Sequence, residues 1–591
     1  MGGTERPSAR FDDLTRASAS FRLDGYLGEV VAHRPGEVAG ALAAIEDAAR
    51  RGEWAAGFVS YEAAPGLDPA LAVRAPDPAV ERPPLAWFGL YQRRVSVDAP
   101  QPAPEPEGGR TTASWSADVD LASYRDRVGR ARGHIGAGDT YQLNLTHRWR
   151  SRAAGDPWML YRRLIAAQRP AYGAFVDTGR WAVASASPEL FFHWRDGLVT
   201  CRPMKGTAPR GRWSEEDEAI GAALASSPKD RAENVMIVDL VRNDLGRLAE
   251  FGTVSAMDLF ELERYPTVWQ LASEVSARPR RGTTLRDVFR ALFPCGSVTG
   301  APKHRTMALI TELEGDCRGV YCGAIGFVGP GEARFNVAIR TVVVDRSTGE
   351  GIYGSGGGIV WDSEAEGEYA ETRTKAEILF TSTPPFDLVE TMAFEPREGL
   401  RNCDRHLERM AGSASYFGYA FCQESLRTLL KEQTASLVEA AIVRLSLSST
   451  GRASIESRAL PAASRCRPVR LEIDGESVDS SDVSLFHKTS LRLPYSDRLA
   501  RHPQADDVVL VNERGQVTET TTANLAVCLD GRWCTPPLDA GCLPGVQRAI
   551  LVANGTLVVR AISVAELQVA VDVALVSSVR GWRRAVIVRS G

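Results

Sequence analysis

GSGGGIVWDSEAEGEYAETRTK, residues 354–375, runs from a glycine cluster directly into a charged segment. Three consecutive glycines, Gly356, Gly357 and Gly358, let a backbone approach a ligand closely and offer it N–H groups. A phosphate loop would need Gly-Lys-Ser/Thr to follow. It does not follow here, nor in PCGSVTGAPKHRT at 294–306, so a P-loop is rejected. Beyond the glycines, EGEYAETRTKAEILF reads as a helix on which Glu371 and Lys375 stand four apart and share a face. Alone, such a pair is an ordinary surface ion pair.

Three segments upstream carry residues of the same kind. SPELFF holds Glu189, RPMKGT holds Lys205, and DRAENVMIVDLVRNDLGR holds Glu233. Lys205 stands out by scarcity. The chain has 70 basic residues, and only six are lysines: 205, 229, 303, 375, 431 and 488. The two cations are interchangeable on most solvated faces, but only a lysine can become a neutral amine nucleophile or form a Schiff base. The surviving lysines are therefore enriched in chemical candidates.

Composition bounds the rest. With 591 residues, 44% hydrophobic and 24% charged, the chain is of globular type with room for two to four domains. A net charge of -4 and the lack of a basic run speak against nucleic acid as a partner. No apolar stretch approaches the length of a membrane span, and the start, MGGTERPSARFDDLTR, has no apolar core of a secretory signal. Ten scattered cysteines form no CxxC pair, so a cytoplasmic setting is expected, without structural zinc or a disulfide framework. Two Pro-rich stretches, 98–112 and 381–387, suggest breaks. The first is taken as a long surface loop within one large domain, 1–380. The second is taken as the linker to another α/β segment, 388–591. Residues 123–139 read as an amphipathic helix and TYQLNLTHRWR as an alternating strand. GVYCGAIGFVG and ARFNVAIRTVVVD read as a hairpin, while 251–277 gives mixed signals.

Taken together, RPMKGT, AENVMIVDLVRNDLGR, PCGSVTGAPK, GVYCGAIGF, FNVAIRT and the opening stretch closely resemble the chorismate-utilising enzymes. These include anthranilate synthase component I, isochorismate synthases and aminodeoxychorismate synthase component I. The resemblance implies a large two-layer α/β sandwich around a cleft. It also implies chorismate as substrate, Mg²⁺ held by Glu233 and Glu371, and Glu189 as the acid/base group. Tyr321, Arg340, Lys375 and the Gly356, Gly357 and Gly358 backbone, with Thr299 and Gly300, would bind the substrate. Anthranilate synthases carry alanine at the position of Lys205, whereas aminodeoxychorismate synthases carry lysine. There the amine attacks C2 as the C4 hydroxyl leaves, and ammonia then adds at C4. In isochorismate-type members the corresponding lysine activates water, so Lys205 alone leaves that alternative open. Gln270, in VWQLAS, stands where many members have histidine, and glutamine cannot act as a general acid.

Past the linker, LVETMAFEP, RHLERM, FHKTSLRLPY, VTETTTANL and CLPGVQR resemble fold-type IV pyridoxal phosphate enzymes. That resemblance implies that Lys488 carries the cofactor, Glu519 faces its pyridine nitrogen, and Arg409 binds its phosphate with Gly545, Val546 and Ser578. Fold-type IV enzymes are usually dimers, so a homodimer through this domain is expected. An aminodeoxychorismate lyase half would complete 4-aminobenzoate synthesis for folate. The alternatives are an isochorismate-, salicylate- or anthranilate-type half joined to an aminotransferase, or an aminodeoxychorismate synthase of secondary metabolism. No glutamine amidotransferase nucleophile motif is seen, so a separate subunit is expected to supply ammonia.

Overall fold

A computed structural model describes residues 7–15, 19–101, 114–380, 386–460 and 467–588. The stretch 98–112 falls mostly outside them, and so do 381–385 of the expected linker. The chain divides into two units, one of Met1–Pro209 with Gly221–Pro384, the other of Arg210–Ile220 with Pro385–Gly591. Among the described residues no helix is long and apolar enough to cross a membrane.

Among the described residues, eighteen strands of the first unit join into one hydrogen-bonded system, and all of its pairings are antiparallel. The 324–329 and 332–337 strands form the expected hairpin around Pro330-Gly331. Gly331 sits at φ 76°, a conformation that glycine adopts without strain. The strand Gln142–Ser151 pairs with Gly351–Ile359 and is buried on both faces, not alternating as its sequence suggested. It lies centrally, so even His147 and Arg148 are covered. The mixed signals at 251–277 resolve into two paired strands, Ser255–Arg264 and Val268–Ala277, with a register shift between Met257 and Glu261. That irregularity breaks the period of two on which strand recognition depends.

A buried ion pair fastens this unit beneath the glycine run. Arg318 donates to Glu314 at 2.6 Å, to Val298 O at 2.6 Å and to Asn144 O at 2.7 Å. Glu314 also accepts from the backbone and hydroxyl of Thr146, both at 2.9 Å. The Arg318 and Glu314 side chains are 1% and 4% exposed, so removing one partner strands a buried charge. Glu314→Ala is expected to cost about 3–5 kcal/mol in urea unfolding of the first unit. A loss under about 1 kcal/mol would show that water reaches Arg318.

The second unit holds a four-stranded antiparallel sheet and an eight-stranded mixed sheet. The strand Leu388–Glu395 lies between two neighbours in the smaller sheet and is covered by the helix Cys403–Phe417. That helix ends at Gly418, which adopts φ 67°. Within this unit the Arg210–Ile220 segment is held by specific contacts. The Trp213 ring packs tilted against Phe486 with centroids 5.2 Å apart, Tyr416 Oη donates to Gly211 O at 2.7 Å, and Arg212 Nη1 donates to Ser480 O at 3.2 Å.

Candidate active sites

The glycine run does what its composition allows. A Cβ at Gly358 would stand 2.7 Å from Lys205 Nζ, and one at Gly357 would stand 2.9 Å from Glu368 Oε2. Side chains thus close onto a bare backbone. Gly356 and Gly358 line a cavity of about 300 Å³ together with Glu189, Lys205, Glu233, Tyr321, Arg340, Glu371 and Lys375. The volume lies at the lower end of the range for small-molecule sites. Gly357 packs beside the cavity. Thr299 and Gly300 do not line it: the Thr299 hydroxyl turns inward to Cys295 O at 3.0 Å, and Gly300 pairs with Leu143.

Lys205 comes from the strand Met204–Pro209, on which Gly206 takes φ 96°. Its amine stands 3.2 Å from Glu233 Oε2, on the helix Pro228–Gly246. Lys375 Nζ pairs with Glu371 at 2.6 Å and donates to Gly356 O at 2.9 Å. The Lys375 charge holds the Glu371 carboxyl below its ordinary range. Glu368, one turn earlier, accepts from Ser363 at 2.6 Å, and burial, reinforced by Glu371, pushes its carboxyl up. Arg340 adopts φ 51° and donates to Lys375 O at 2.6 Å, which ties the helix end to the cavity wall.

Glu189 is 3% exposed. Burial pushes its carboxyl up to about 7, against the pull of a 2.7 Å hydrogen bond from Ser297 Oγ. Ser297 lies in PCGSVTGAPK, where nothing local links it to Glu189. Gln270 lines the cavity, and among the described residues its buried Oε1 has no hydrogen-bond partner, leaving an acceptor for a bound molecule.

A magnesium ion fits this chemistry on the donor set. Glu233 and Glu371 reach one cavity from two helices, and Mg²⁺ is commonly held by one or two carboxylates, waters and substrate oxygens. Among the described residues no three His, Cys, Asp or Glu side chains cluster as a self-sufficient metal cage.

In the second unit Lys488 follows a short turn, and its carbonyl accepts from Val389 N at 2.8 Å. Burial, then Arg409, draws its amine down to about 8. Glu519 accepts from Asn524 Nδ2 and Leu543 N, both at 3.2 Å. Burial pushes its carboxyl up to about 8. Arg409 Nε and Nη2 donate to Glu390 at 2.8 and 2.6 Å, and Nη1 donates to Pro544 O at 3.1 Å. Three of its five N–H groups are thus engaged, which leaves two for an anion. The helix Val546–Ala553 begins beside it at Gly545 without a side-chain cap, so its first N–H groups lack intrahelical acceptors. A Cβ at Gly545 would come within 1.9 Å of Asn524 Oδ1. A guanidinium, an uncapped helix start and a half-buried lysine suit a phosphorylated aldehyde cofactor.

Glu390 is the residue the sequence reading passed over. It is 1% exposed and also accepts from His406 Nδ1 at 2.6 Å, while His406 Nε2 meets Ser578 Oγ at 2.7 Å. A carboxylate in the middle of the apolar run LVETMAF was the available signal, since buried acids need partners.

Buried acids with raised proton affinities, Glu189 at the cavity wall and Glu519 beside the depressed amine of Lys488, mark two candidate reaction centres. Residues 15–381 match the chorismate binding enzyme family, and the chain belongs to it. Residues 387–588 match the amino-transferase class IV family. Aminodeoxychorismate synthase component 1 of Klebsiella aerogenes is 41% identical over 285 residues, 48% of this chain and 63% of that protein. Anthranilate synthase component 1 of Streptomyces coelicolor is also 41% identical, over 46% of this chain and 53% of that protein. The chain thus spans less than two thirds of the length of these relatives, and identity alone does not choose between the two names. The crystal structure of anthranilate synthase component I from Streptococcus pneumoniae aligns with a TM-score of 0.52 at 26% identity, covering 63% of this chain and 92% of that one.

Proposed function

We propose that the chain makes 4-aminobenzoate from chorismate and ammonia in two steps, one per unit, and so feeds folate synthesis. The observation that carries this reading is Lys205, an amine at the cavity wall where a backbone without side chains leaves it room. In the first step the Lys205 amine attacks C2 of chorismate while the C4 hydroxyl leaves as water, taking the Glu189 proton. Ammonia then forms the bond to C4 and the lysine amine leaves C2. Before attacking, Lys205 must part from Glu233 and give up a proton. Glu233 and Glu371 would hold Mg²⁺, whose charge would neutralise the substrate's ring carboxylate. Arg340 and Lys375 supply the positive charge that a dianionic substrate needs. Ammonia comes from a separate glutamine amidotransferase subunit.

In the second step 4-amino-4-deoxychorismate loses its C4 proton, and its enolpyruvyl group departs as pyruvate. Bound pyridoxal phosphate would supply the electron sink. Lys488 takes the C4 proton, an amine drawn down to about 8 being poised for that exchange. Glu519 holds a proton at the pyridine nitrogen, and Arg409 with the Gly545–Val546 backbone would grip the phosphate. A dimer through this unit belongs to the same proposal, as does a cytoplasmic location.

The test is product analysis of the purified chain with chorismate, Mg²⁺, pyridoxal phosphate and excess ammonium. 4-Aminobenzoate and pyruvate are expected in equal amounts. Isochorismate, salicylate or anthranilate would overturn the first step.

The pH dependence follows from Glu189. An acid must carry its proton, so first-step activity falls as pH rises through about 7. Glu189→Gln is expected to lower kcat by about 10²–10⁴-fold and to lose that limb of the profile. A Gln variant that retains the limb would assign it to another group.

A further inference from the structure

The buried chain from Glu390 through His406 to Ser578 fixes which groups carry protons, and this has a consequence for anion binding. Burial opposes the charge on Glu390, yet Arg409 and His406 hold its carboxyl down at about 2. A carboxylate only accepts, so His406 Nδ1, 2.6 Å away, must carry a hydrogen. The state of Nε2 then decides what Ser578 can do. When His406 is neutral, Nε2 is an acceptor and the Ser578 O–H points at it over 2.7 Å. When His406 is an imidazolium, Nε2–H donates to Oγ. Asn402 Nδ2 donates to the same oxygen at 3.4 Å, so both acceptor positions are filled and the O–H is free to turn elsewhere.

Glu390 grips Arg409 from the same carboxylate that holds His406, and Arg409 reaches Pro544 O at the uncapped helix start. Among the described residues, Glu390 on the adjoining strand bonds His406 and also Arg409, which lies one turn along the same helix. Lys488 shares their surroundings, its amine being depressed by Arg409 and supported by Glu390.

We infer that Ser578 donates to the cofactor's phosphate only when His406 takes up a second proton, so that phosphate binding in the second unit is coupled to proton uptake. The inference rests on the reading of that unit as a pyridoxal phosphate site. No covalent bond changes: one proton enters from solvent to Nε2, and the hydroxyl hydrogen rotates from Nε2 to a phosphate oxygen.

The experiment is calorimetry of the full chain with pyridoxine 5′-phosphate, which has the phosphate but no aldehyde and cannot react with Lys488. Titrations in two buffers of different ionisation enthalpy give the protons taken up per ligand. The phosphate's own ionisation is common to wild type and Ser578→Ala, a change too small to endanger folding, and cancels between them. Wild type is expected to take up as much as about one proton more than Ser578→Ala, with the affinity gap widening by up to about tenfold per pH unit as pH falls. His406→Gln is expected to match Ser578→Ala in proton uptake. Equal uptake by wild type and Ser578→Ala overturns the coupling while leaving the cofactor reading intact. No binding by wild type at any pH overturns the cofactor reading and the coupling with it.

Discussion

Lys205→Arg is expected to abolish amination of chorismate, by about 10⁴-fold or more in kcat, while leaving the fold intact. The substitution is the stringent one because it keeps the charge. A guanidinium can still pair with Glu233 across the present 3.2 Å contact, so the electrostatics of the cavity wall survive. It cannot surrender a proton at usable pH, so it cannot attack C2. Lys205→Ala tests the same point with the bulk removed, and it opens space beside Gly358, where an added Cβ would have met the amine at 2.7 Å. The measurement is chorismate consumption with ammonium, followed by separation of products. If Lys205→Arg still makes aminodeoxychorismate at more than about a hundredth of the wild-type rate, the lysine binds substrate and forms no bond to it. If wild type makes isochorismate and Lys205→Arg does not, the amine activates water and the first step is misassigned.

Lys488→Ala is expected to stop the sequence one step later. Aminodeoxychorismate accumulates, 4-aminobenzoate and pyruvate fall by about 10³-fold or more, and the long-wavelength absorbance of bound cofactor disappears. The first step continues at its wild-type rate, since Lys488 and Lys205 lie in different units. The two variants therefore separate the reactions within a single chain. With the amine drawn down to about 8, proton transfer at C4 should strengthen as pH rises toward that value and level off above it. Continued production of 4-aminobenzoate by Lys488→Ala would place elimination elsewhere.

The sequence carried these two residues because each is chemically conspicuous where it stands. Lysine is scarce, so Lys205 and Lys488 could be singled out before any contact was known. The glycine run and the helix after it were likewise legible, since a local pattern states its own geometry. What escaped was held by long-range pairing. Glu390 reads as an oddity in a strand until His406, Arg409 and, through His406, Ser578 fold around it from 16 to 188 positions away. Ser297 meets Glu189 across 108 positions, and neither segment alone hints at the other. The strand Gln142–Ser151 looked half-exposed because its polar residues alternate. Neighbours on both faces supply partners for several of them, and periodicity does not record neighbours. The register shift at 257–261 hid a strand pair for a related reason: three residues of irregular pairing, 258–260, cancel a signal built on strict alternation.

The segment Arg210–Ile220 bears on how such a gene could ever be taken apart. It is encoded in the middle of the first unit, yet it folds as part of the second, with Trp213 lying over Phe486 and Gly211 O capped by Tyr416. A cut at Pro385 would release a carboxy-terminal product bearing a bare aromatic face two residues before Lys488. Its amino-terminal sibling would trail a tryptophan with nothing to cover. Separation into two genes would therefore demand compensating surface changes in both products at once, a double requirement that favours inheritance of the two units as one reading frame.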